Sequence, residues 1–401
     1  MTIRLTPRPL AGTVRAVSSK SHAHRALICA ALAGAPLPAG GLDPSEDLAA
    51  TYRCLAALDG PEPVLDCGES GSTLRFLLPV AAMTADTARF TGRGRLPERP
   101  LGPLLEAMAA HGCRFTTDRV PLTVTGRLRG GAYTLPGNVS SQYISGLLLA
   151  LPLARENSRI RLSSPLESAG YVALTLRTLR DFGVHVEQTQ DGFLIPGGQR
   201  YTAPPAYTVE GDWSNAAFFL TAGALAGPVR VTGLRRDAGQ GDRAIERLLK
   251  AFGGRAVWED EAIALENGAP FAPQRVDVAD VPDLFPILAV AACACRGDTL
   301  LYNAARLRLK ESDRIASTAR LLVALGGRAE ERPDALLIRG EGALRGGAVD
   351  GCGDHRIVMA AAIAAQLCRE PVEIHGAEAV CKSYPRFFDD FTALGGQAHV
   401  L

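Results

Sequence analysis

The stretch GESGSTLRFLLPVAA, Gly68 to Ala82, decides how this chain folds. It begins as small polar residues and turns apolar at Leu74, with Arg75 the one charge after the join. Serine or threonine ahead of an apolar run is helix N-cap chemistry, and the run itself reads as a buried helix. Gly71 lets a ligand approach the backbone closely. The same join occurs six times. Polar clusters begin near Ser21, Ser70, Ser141, Asp212, Asp283 and Asp354. Apolar helices follow at Arg25–Leu32, Leu74–Ala82, Ile144–Leu153, Ala216–Ala226, Phe285–Ala294 and Ile357–Leu367. The last five clusters recur about every seventy residues and the first sits closer, which marks a repeat architecture. Each helix offers its N-terminal end, with roughly half a positive charge and unpaired N–H groups, to whatever lies in front of the polar cluster. Several such ends facing one space would trap a multiply charged anion.

Between these helices lie amphipathic ones closed by glycine: Leu104–Gly112, Leu176–Gly183, Ile245–Gly254, Ala319–Gly327 and Phe387–Gly396, with a weaker version ending at Gly60. Their apolar residues fall at helical spacing and the glycine sits where a left-handed cap belongs. Short β-like runs such as CRFTT, VHVEQ and FLI follow them. The repeating unit is therefore strand, buried helix, strand, amphipathic helix and two further strands. Six copies suggest two α/β domains of three, apolar helices inside and sheets outside. The boundary falls near Val209 to Asp212, after the proline-rich Ala203–Ala206. The N-terminal strand, Thr2 to Thr6, suits either half.

Composition excludes several classes. At 401 residues the chain can bury two or three cores. A net charge of +1 gives no bulk attraction to nucleic acid or membrane. The opening MTIRLTPRPLAG has no apolar signal-peptide core. The apolar helices fall short of the roughly twenty residues a bilayer span requires. Nine cysteines show no CxxC pair and no His/Cys ligand spacing, so a reducing cytoplasm and no metal site are expected.

The chemistry sits at the polar ends, and each piece has a plain alternative. Lys20, Ser21 and Arg25 suit phosphate or carboxylate, yet a capping serine with solvated basic neighbours would look the same. His22 and His24 read as surface or supporting residues. Arg99, held between Pro97 and Pro100, is either a stiffly mounted guanidinium or a loop residue. Ser140, Ser141 and Gln142, then Ser168 and Tyr171, offer hydroxyl and amide groups to sugar-like hydroxyls or phosphate, or simply cap helices. Asp283 before an apolar helix is a cap or, if it faces a cleft, a general base. In Arg306 to Arg314 charges of both signs interleave. They form a salt-bridged helix start, or Lys310 and Arg314 hold anions while Glu311 moves a proton. Arg356, in Gly353-Asp354-His355-Arg356, and Lys382, in Cys381-Lys382-Ser383-Tyr384-Pro385, complete the series.

Together these motifs resemble the EPSP synthase (3-phosphoshikimate 1-carboxyvinyltransferase) family. The set is SKSxxxR at Ser19–Arg25, SGSTLR at Ser70–Arg75, RPL at Arg99–Leu101, SSQ at Ser140–Gln142, Asp283 after proline, LKESDR at Leu309–Arg314, GDHR at Gly353–Arg356 and KSYP at Lys382–Pro385. The resemblance runs from about Lys20 to Phe388 in family order. It implies the enolpyruvyl-transferase fold, two inside-out domains each of three βαβαββ units. One lobe would be residues 1–17 plus 212–401, closed by the N-terminal strand, the other 18–211, with the active site in the cleft between them.

The resemblance also implies the activity. The enolpyruvyl group of phosphoenolpyruvate moves to the 5-hydroxyl of shikimate 3-phosphate by addition and elimination, phosphate leaves, and no cofactor or metal takes part. Shikimate 3-phosphate would meet Lys20, Ser21, Arg25, Ser140, Ser141, Gln142, Ser168, Tyr171, Asp283 and Lys310. Phosphoenolpyruvate would meet Lys20, Gly71, Arg99, Gln142, Arg314, Arg356 and Lys382. Asp283 would serve as base at the 5-hydroxyl, and Glu311 and Lys20 as proton donors at the methylene carbon. Seven cations, Lys20, Arg25, Arg99, Lys310, Arg314, Arg356 and Lys382, would repel one another in an empty site and favour an open cleft. Glu69 and Arg306 depart from the better-known enterobacterial pattern, where asparagines stand. Gly71 is retained, so glyphosate should compete with phosphoenolpyruvate. A monomer is the family's usual state.

Three other readings compete. The sister transferase acting on UDP-N-acetylglucosamine carries a Lys-Asn pair where this chain has Lys20-Ser21, and a loop cysteine acid for which Cys113 is the nearest candidate. RNA 3′-phosphate cyclase would need a basic, aromatic-interleaved surface. A non-catalytic anion-binding protein would have no use for Asp283 and Glu311 among the cations.

Overall fold

A computed structural model describes residues 1–36 and 42–401, and its contacts divide the chain into two compact units. One unit is discontinuous, Met1–Ser18 with Glu210–Leu401, and the other is Ser19–Val209.

The discontinuous unit contains three four-stranded sheets. The first takes strand Gly12–Arg15, then helix Trp213–Leu225, strand Val229–Thr232, helix Ala244–Phe252 and strands Gly254–Glu259 and Ala262–Asn267. Its spatial order is first, second, fourth, third, with the first pair parallel and the rest antiparallel. The second sheet repeats that order with Arg275–Asp277, Arg296–Tyr302, Arg328–Glu331 and Leu336–Glu341, around helices Phe285–Cys293 and Arg314–Ala324. The third uses Gly347–Asp350, Val372–His375 and Gln397–Val400, with helices His355–Ala364 and Phe387–Ala393. Its remaining strand is Thr2–Thr6, which lies antiparallel between Val372–His375 and Gln397–Val400. The chain's first strand thus closes the last sheet and its second strand opens the first. Ile3 and Leu5 point inward and their neighbours outward, as a half-buried strand requires.

The continuous unit repeats the pattern. One sheet has Val64–Asp66, Thr87–Thr91, Arg114–Phe115 and Leu122–Thr125, and the other has Ala132–Leu135, Ser158–Leu162, Glu187–Thr189 and Gly192–Ile195. Helices Lys20–Leu32 and Glu46–Leu58 belong to a further copy. Residues 37–41, between those two helices, lie outside the described residues. Among the described residues there are therefore five four-stranded sheets, where six complete copies were expected.

Packing follows from helix type. Helix Phe285–Cys293 is buried at every position, as an all-apolar segment must be. Helix Ala244–Phe252 buries Ile245, Leu248, Leu249 and Phe252, one stripe at helical spacing. The inner helices approach closely. A Cβ at Gly146 would lie 2.2 Å from the carbonyl oxygen of Arg75, so glycine is required where Ser141–Ala150 crosses Gly71–Thr84. Among the described residues no helix is long and apolar enough to cross a membrane.

Four of the buried helices begin about a turn earlier than their apolar runs, at Gly71, Ser141, Trp213 and His355, and the first begins five residues early at Lys20. Side-chain oxygens of Ser19, Ser70, Ser140, Asp212 and Asp354 accept from first-turn amides. Polar residues are tolerated there because first-turn N–H groups have no partner within the helix. Asp283 is the exception. It lies in the 3₁₀ turn Pro282–Leu284 and not at the N-cap position of either helical segment there.

Candidate active site

In the continuous unit three helix starts carry the expected residues. Lys20 opens its helix and its Nζ donates to Asp47 Oδ2 at 2.7 Å. Arg25, one turn on, is 2% exposed. Its Nε donates to Thr175 Oγ1 (2.7 Å), Nη1 to Ser21 O (2.6 Å), and Nη2 to Tyr171 O (2.9 Å) and Ser145 Oγ (3.3 Å). Burial pulls the guanidinium down to about 10. Arg25 therefore ties Ser21, Tyr171 and Ser145 together from below rather than standing free.

At the second helix start Gly71 lies under two guanidiniums. A Cβ there would meet Arg99 Nη1 at 2.6 Å, Arg75 Nη1 at 2.7 Å and Arg99 Cζ at 2.8 Å. Arg75 Nη1 donates to Gln142 Oε1 (2.8 Å), and Gln142 Nε2 donates to Ser72 Oγ (2.9 Å). Two guanidiniums at a helix N-terminus are a site for a phosphate or carboxylate. Arg75 stands here beside Arg99, a placement that its position inside the SGSTLR motif does not reveal. Ser140 caps the third helix, Ser141 and Gln142 form its first turn, and Ser168 stands at the N-cap position of the next in a left-handed conformation (φ 55°) with no side-chain capping bond.

His22 and His24 are not surface residues; they are 3% and 1% exposed. Burial, with Lys20 and Arg25 nearby, holds His24 well below its ordinary value, so it is neutral. Thr73 Oγ1 donates to Ser70 Oγ (2.7 Å). The Thr51–Thr73 contact (2.7 Å) must then take its proton from Thr51, and the His24–Thr51 contact (2.7 Å) from His24 Nδ1. That tautomer leaves His24 Nε2 bare, in agreement with its having no partner in a dry interior. The chain of hydroxyls ties three helices together behind Gly71.

In the discontinuous unit the candidates surround one arginine. Arg314, 1% exposed, donates through Nε to Asp354 Oδ2 (2.9 Å), through Nη1 to Asp283 Oδ1 (2.7 Å) and through Nη2 to Glu311 Oε2 (2.7 Å). Arg356, 3% exposed, donates to Asp283 Oδ2 (2.8 Å) and to Ser214 Oγ (2.9 Å). Lys382 Nζ donates to Gly353 O at 2.7 Å. Lys310 is half-buried and its ammonium has no hydrogen-bond partner among the described residues. Burial, opposed by Asp283, pulls Lys310 down to about 8. For Asp283 burial works upward, but Arg356, Arg314 and Lys310 outweigh it and hold the carboxyl well below the usual carboxylate range.

Three of the seven cations have carboxylate partners. Lys20 has Asp47, Arg314 has three carboxylates, and Arg356 has Asp283. Arg25 is held instead by the hydroxyls of Thr175 and Ser145 and the carbonyls of Ser21 and Tyr171. Asp47, Asp354 and Ser214, which hold the cations, were given no role from sequence; their signal was position, each within a few residues of a helix start. Arg308 behaves as the plain alternative foresaw, bridging Asp313 and Glu331. Arg306 Nη2 donates to Ala279 O (2.6 Å). Cys113 is 3% exposed and its thiol is pushed up to about 12 by burial, which does not suit the acid of the sister transferase. All nine cysteines are free, and among the described residues no cluster of His, Cys, Asp or Glu could hold a metal ion.

Solved structures share this fold. The EPSP synthase of Acinetobacter baumannii matches with a TM-score of 0.81 at 25% identity, covering 100% of both chains. The enolpyruvyl transferase NikO of Streptomyces tendae matches with a TM-score of 0.79 at 18% identity, over 99% of this chain and 98% of that one. The fold is that of the enolpyruvyl-transferase class. Within it, the family described as EPSP synthase (3-phosphoshikimate 1-carboxyvinyltransferase) matches residues 5–391. The 3-phosphoshikimate 1-carboxyvinyltransferases of Clostridium kluyveri and Clostridium acetobutylicum are 39% identical over 417 residues and 38% identical over 423. They cover 98% and 99% of this chain, and 97% and 98% of their own length. This chain belongs to the EPSP synthase family.

Proposed function

We infer that this chain moves the enolpyruvyl group of phosphoenolpyruvate onto the 5-hydroxyl of shikimate 3-phosphate, releasing phosphate through a tetrahedral adduct, in the shikimate pathway of aromatic amino-acid biosynthesis. Arg314, Arg356 and Lys382 from one unit, and Lys20, Gly71, Arg99 and Gln142 from the other, hold phosphoenolpyruvate. Ser21, Arg25, Ser140, Ser141, Ser168, Tyr171 and Lys310 hold or frame shikimate 3-phosphate, with Lys20 and Gln142 touching both substrates. Asp283 takes the proton of the 5-hydroxyl, and Glu311 or Lys20 protonates the methylene carbon. The reaction needs the groups of both units, residues 18–211 and residues 1–17 with 212–401. The enzyme uses no metal or cofactor, works as a monomer in the cytoplasm, touches neither nucleic acid nor membrane, and is inhibited by glyphosate in competition with phosphoenolpyruvate.

The observation that carries this reading is the placing of Asp283 and Glu311 directly on Arg314. An anion-binding scaffold would be weakened by two acids there, whereas an acid–base enzyme needs them. Phosphate release is the test. It should require both substrates and should collapse in Asp283→Ala and in Glu311→Ala while shikimate 3-phosphate still binds. Release from phosphoenolpyruvate alone, or undiminished turnover in both variants, refutes the assignment.

A further inference from the structure

Asp283 is placed as a ligand would be. Its two carboxylate oxygens are divided between two guanidiniums, Oδ1 on Arg314 Nη1 at 2.7 Å and Oδ2 on Arg356 Nη2 at 2.8 Å. The arginines come from different helices, Arg314–Ala324 and His355–Ala364. A carboxylate bridging two guanidiniums is how such a pair receives an anion from solution. Asp283 does not stand at the N-cap position of either helical segment it borders. Its side chain is 18% exposed, against 2% and 3% for those of the arginines. The arginines are also held from behind, Arg314 by Asp354 and Glu311 and Arg356 by the Ser214 hydroxyl and carbonyl. Of the three side chains, Asp283 is the one able to leave.

We propose that Asp283 occupies the seat that the carboxylate of phosphoenolpyruvate takes, so that the enolpyruvyl donor must displace it. This rests on the proposed function, because Arg314 and Arg356 must be the arginines that receive the donor. Displacement has two consequences. The site rejects anions that cannot outcompete a tethered carboxylate, which makes Asp283 a specificity-determining residue. The freed carboxylate also becomes a stronger base when the donor arrives. Arg356, Arg314, Lys310 and Glu311 all act on it. Giving the first two another anion weakens their hold on the carboxylate, and base strength rises because burial then counts for more. Proton abstraction from the 5-hydroxyl is thereby coupled to occupancy of the donor seat.

A brace and a competitor predict opposite signs. Asp283→Asn keeps the shape and removes the charge. If Asp283 competes, the variant loses turnover by a hundredfold or more yet binds phosphoenolpyruvate about tenfold more tightly in calorimetry, the gain expected when a seat open about a tenth of the time becomes always open. If Asp283 braces the arginines, the folded variant binds phosphoenolpyruvate no better than the parent or worse, and the inference is overturned with the function intact. If neither parent nor variant binds phosphoenolpyruvate and neither releases phosphate, the functional reading fails and takes this inference with it. Should Asp283→Asn not melt cooperatively, the parent itself decides. Protein labelled with carboxyl-¹³C aspartate is titrated with phosphoenolpyruvate alone, the Asp283 resonance being assigned by its loss in Asp283→Glu. Its titration midpoint should move up on binding; a midpoint that stays in place overturns the proposal.

Discussion

Gly71 has two guanidinium ends within 3 Å of the position a Cβ would take, Arg99 Nη1 at 2.6 Å and Arg75 Nη1 at 2.7 Å. Both are ends of flexible side chains, so Gly71→Ala should fold normally but push the guanidiniums out of register. Its cost should be that of one badly placed methyl group, roughly tenfold in KM for phosphoenolpyruvate and in the inhibition constant for glyphosate. The KM for shikimate 3-phosphate should stay within about twofold, and steady-state kinetics with each substrate varied in turn checks the split. Lys310 makes the second residue-scale prediction. Burial pulls it down to about 8, so its positive charge fades as pH rises through that value. Bound phosphate favours the ammonium and restores it. The kcat/KM for shikimate 3-phosphate should therefore fall above about pH 8 while kcat holds, and Lys310→Arg should remove that limb of the profile. Both residues could be picked from sequence, but the two arginines at Gly71 and the lowered ammonium of Lys310 are properties of what surrounds them.

At the scale of the element, the helix starts do two jobs. Asp354 caps His355–Ala364 through the amide of Arg356 (3.0 Å) and holds Arg314 Nε (2.9 Å), from a site with no solvent exposure. Asp354→Asn keeps a capping oxygen but loses the charge beside a buried guanidinium. We expect a loss of about 3 kcal/mol, toward the low end for a broken buried pair because two carboxylates stay on Arg314; the midpoint of urea unfolding measures it. The plain reading, cap, and the functional reading, anion site, were posed as alternatives in the sequence. Ser70 caps the helix at whose first residue, Gly71, two guanidiniums converge, and Asp354 caps its own helix while holding Arg314. A side chain can accept from its own helix and still border a ligand, because the remaining first-turn amides point outward. Asp283 was the one misjudged as equivalent to the others by its spacing. Its carboxylate is divided between two guanidiniums, those of Arg314 and Arg356.

For the whole molecule, the N-terminal strand matters most. Leu5 is fully buried where Thr2–Thr6 completes the last sheet. Leu5→Ala should cost about 2–4 kcal/mol, the range for a buried leucine cut back to alanine. Removing residues 1–6 leaves Val372–His375 and Gln397–Val400 with facing unpaired edges and should abolish cooperative melting of the discontinuous unit, followed by calorimetry. The segment Ser19–Val209 has its own core cluster and should melt cooperatively when expressed alone. Failure of that segment to fold would mean that its stability depends on the rest of the chain.

The sequence alone determined the repeat, the helix types and the family, because each is a matter of local pattern. An all-apolar run must be buried, a single-face stripe must lie against a core, and a hydroxyl or carboxylate before either starts a helix. Seven of the cations and both candidate catalytic carboxylates could likewise be read from their motifs. Tertiary structure decided which charges meet. Arg314 is within 3 Å of Asp283, some thirty residues before it, and of Asp354, forty after it. Gln142 spans Arg75 and Ser72, about seventy residues away. It also decided that Thr2–Thr6 serves the last sheet, a pairing across nearly the full chain that no local spacing encodes. Long-range pairing depends on where the backbone comes back to itself, and electrostatics depends on which side chains then share a dry space; neither is written in the order of neighbouring residues.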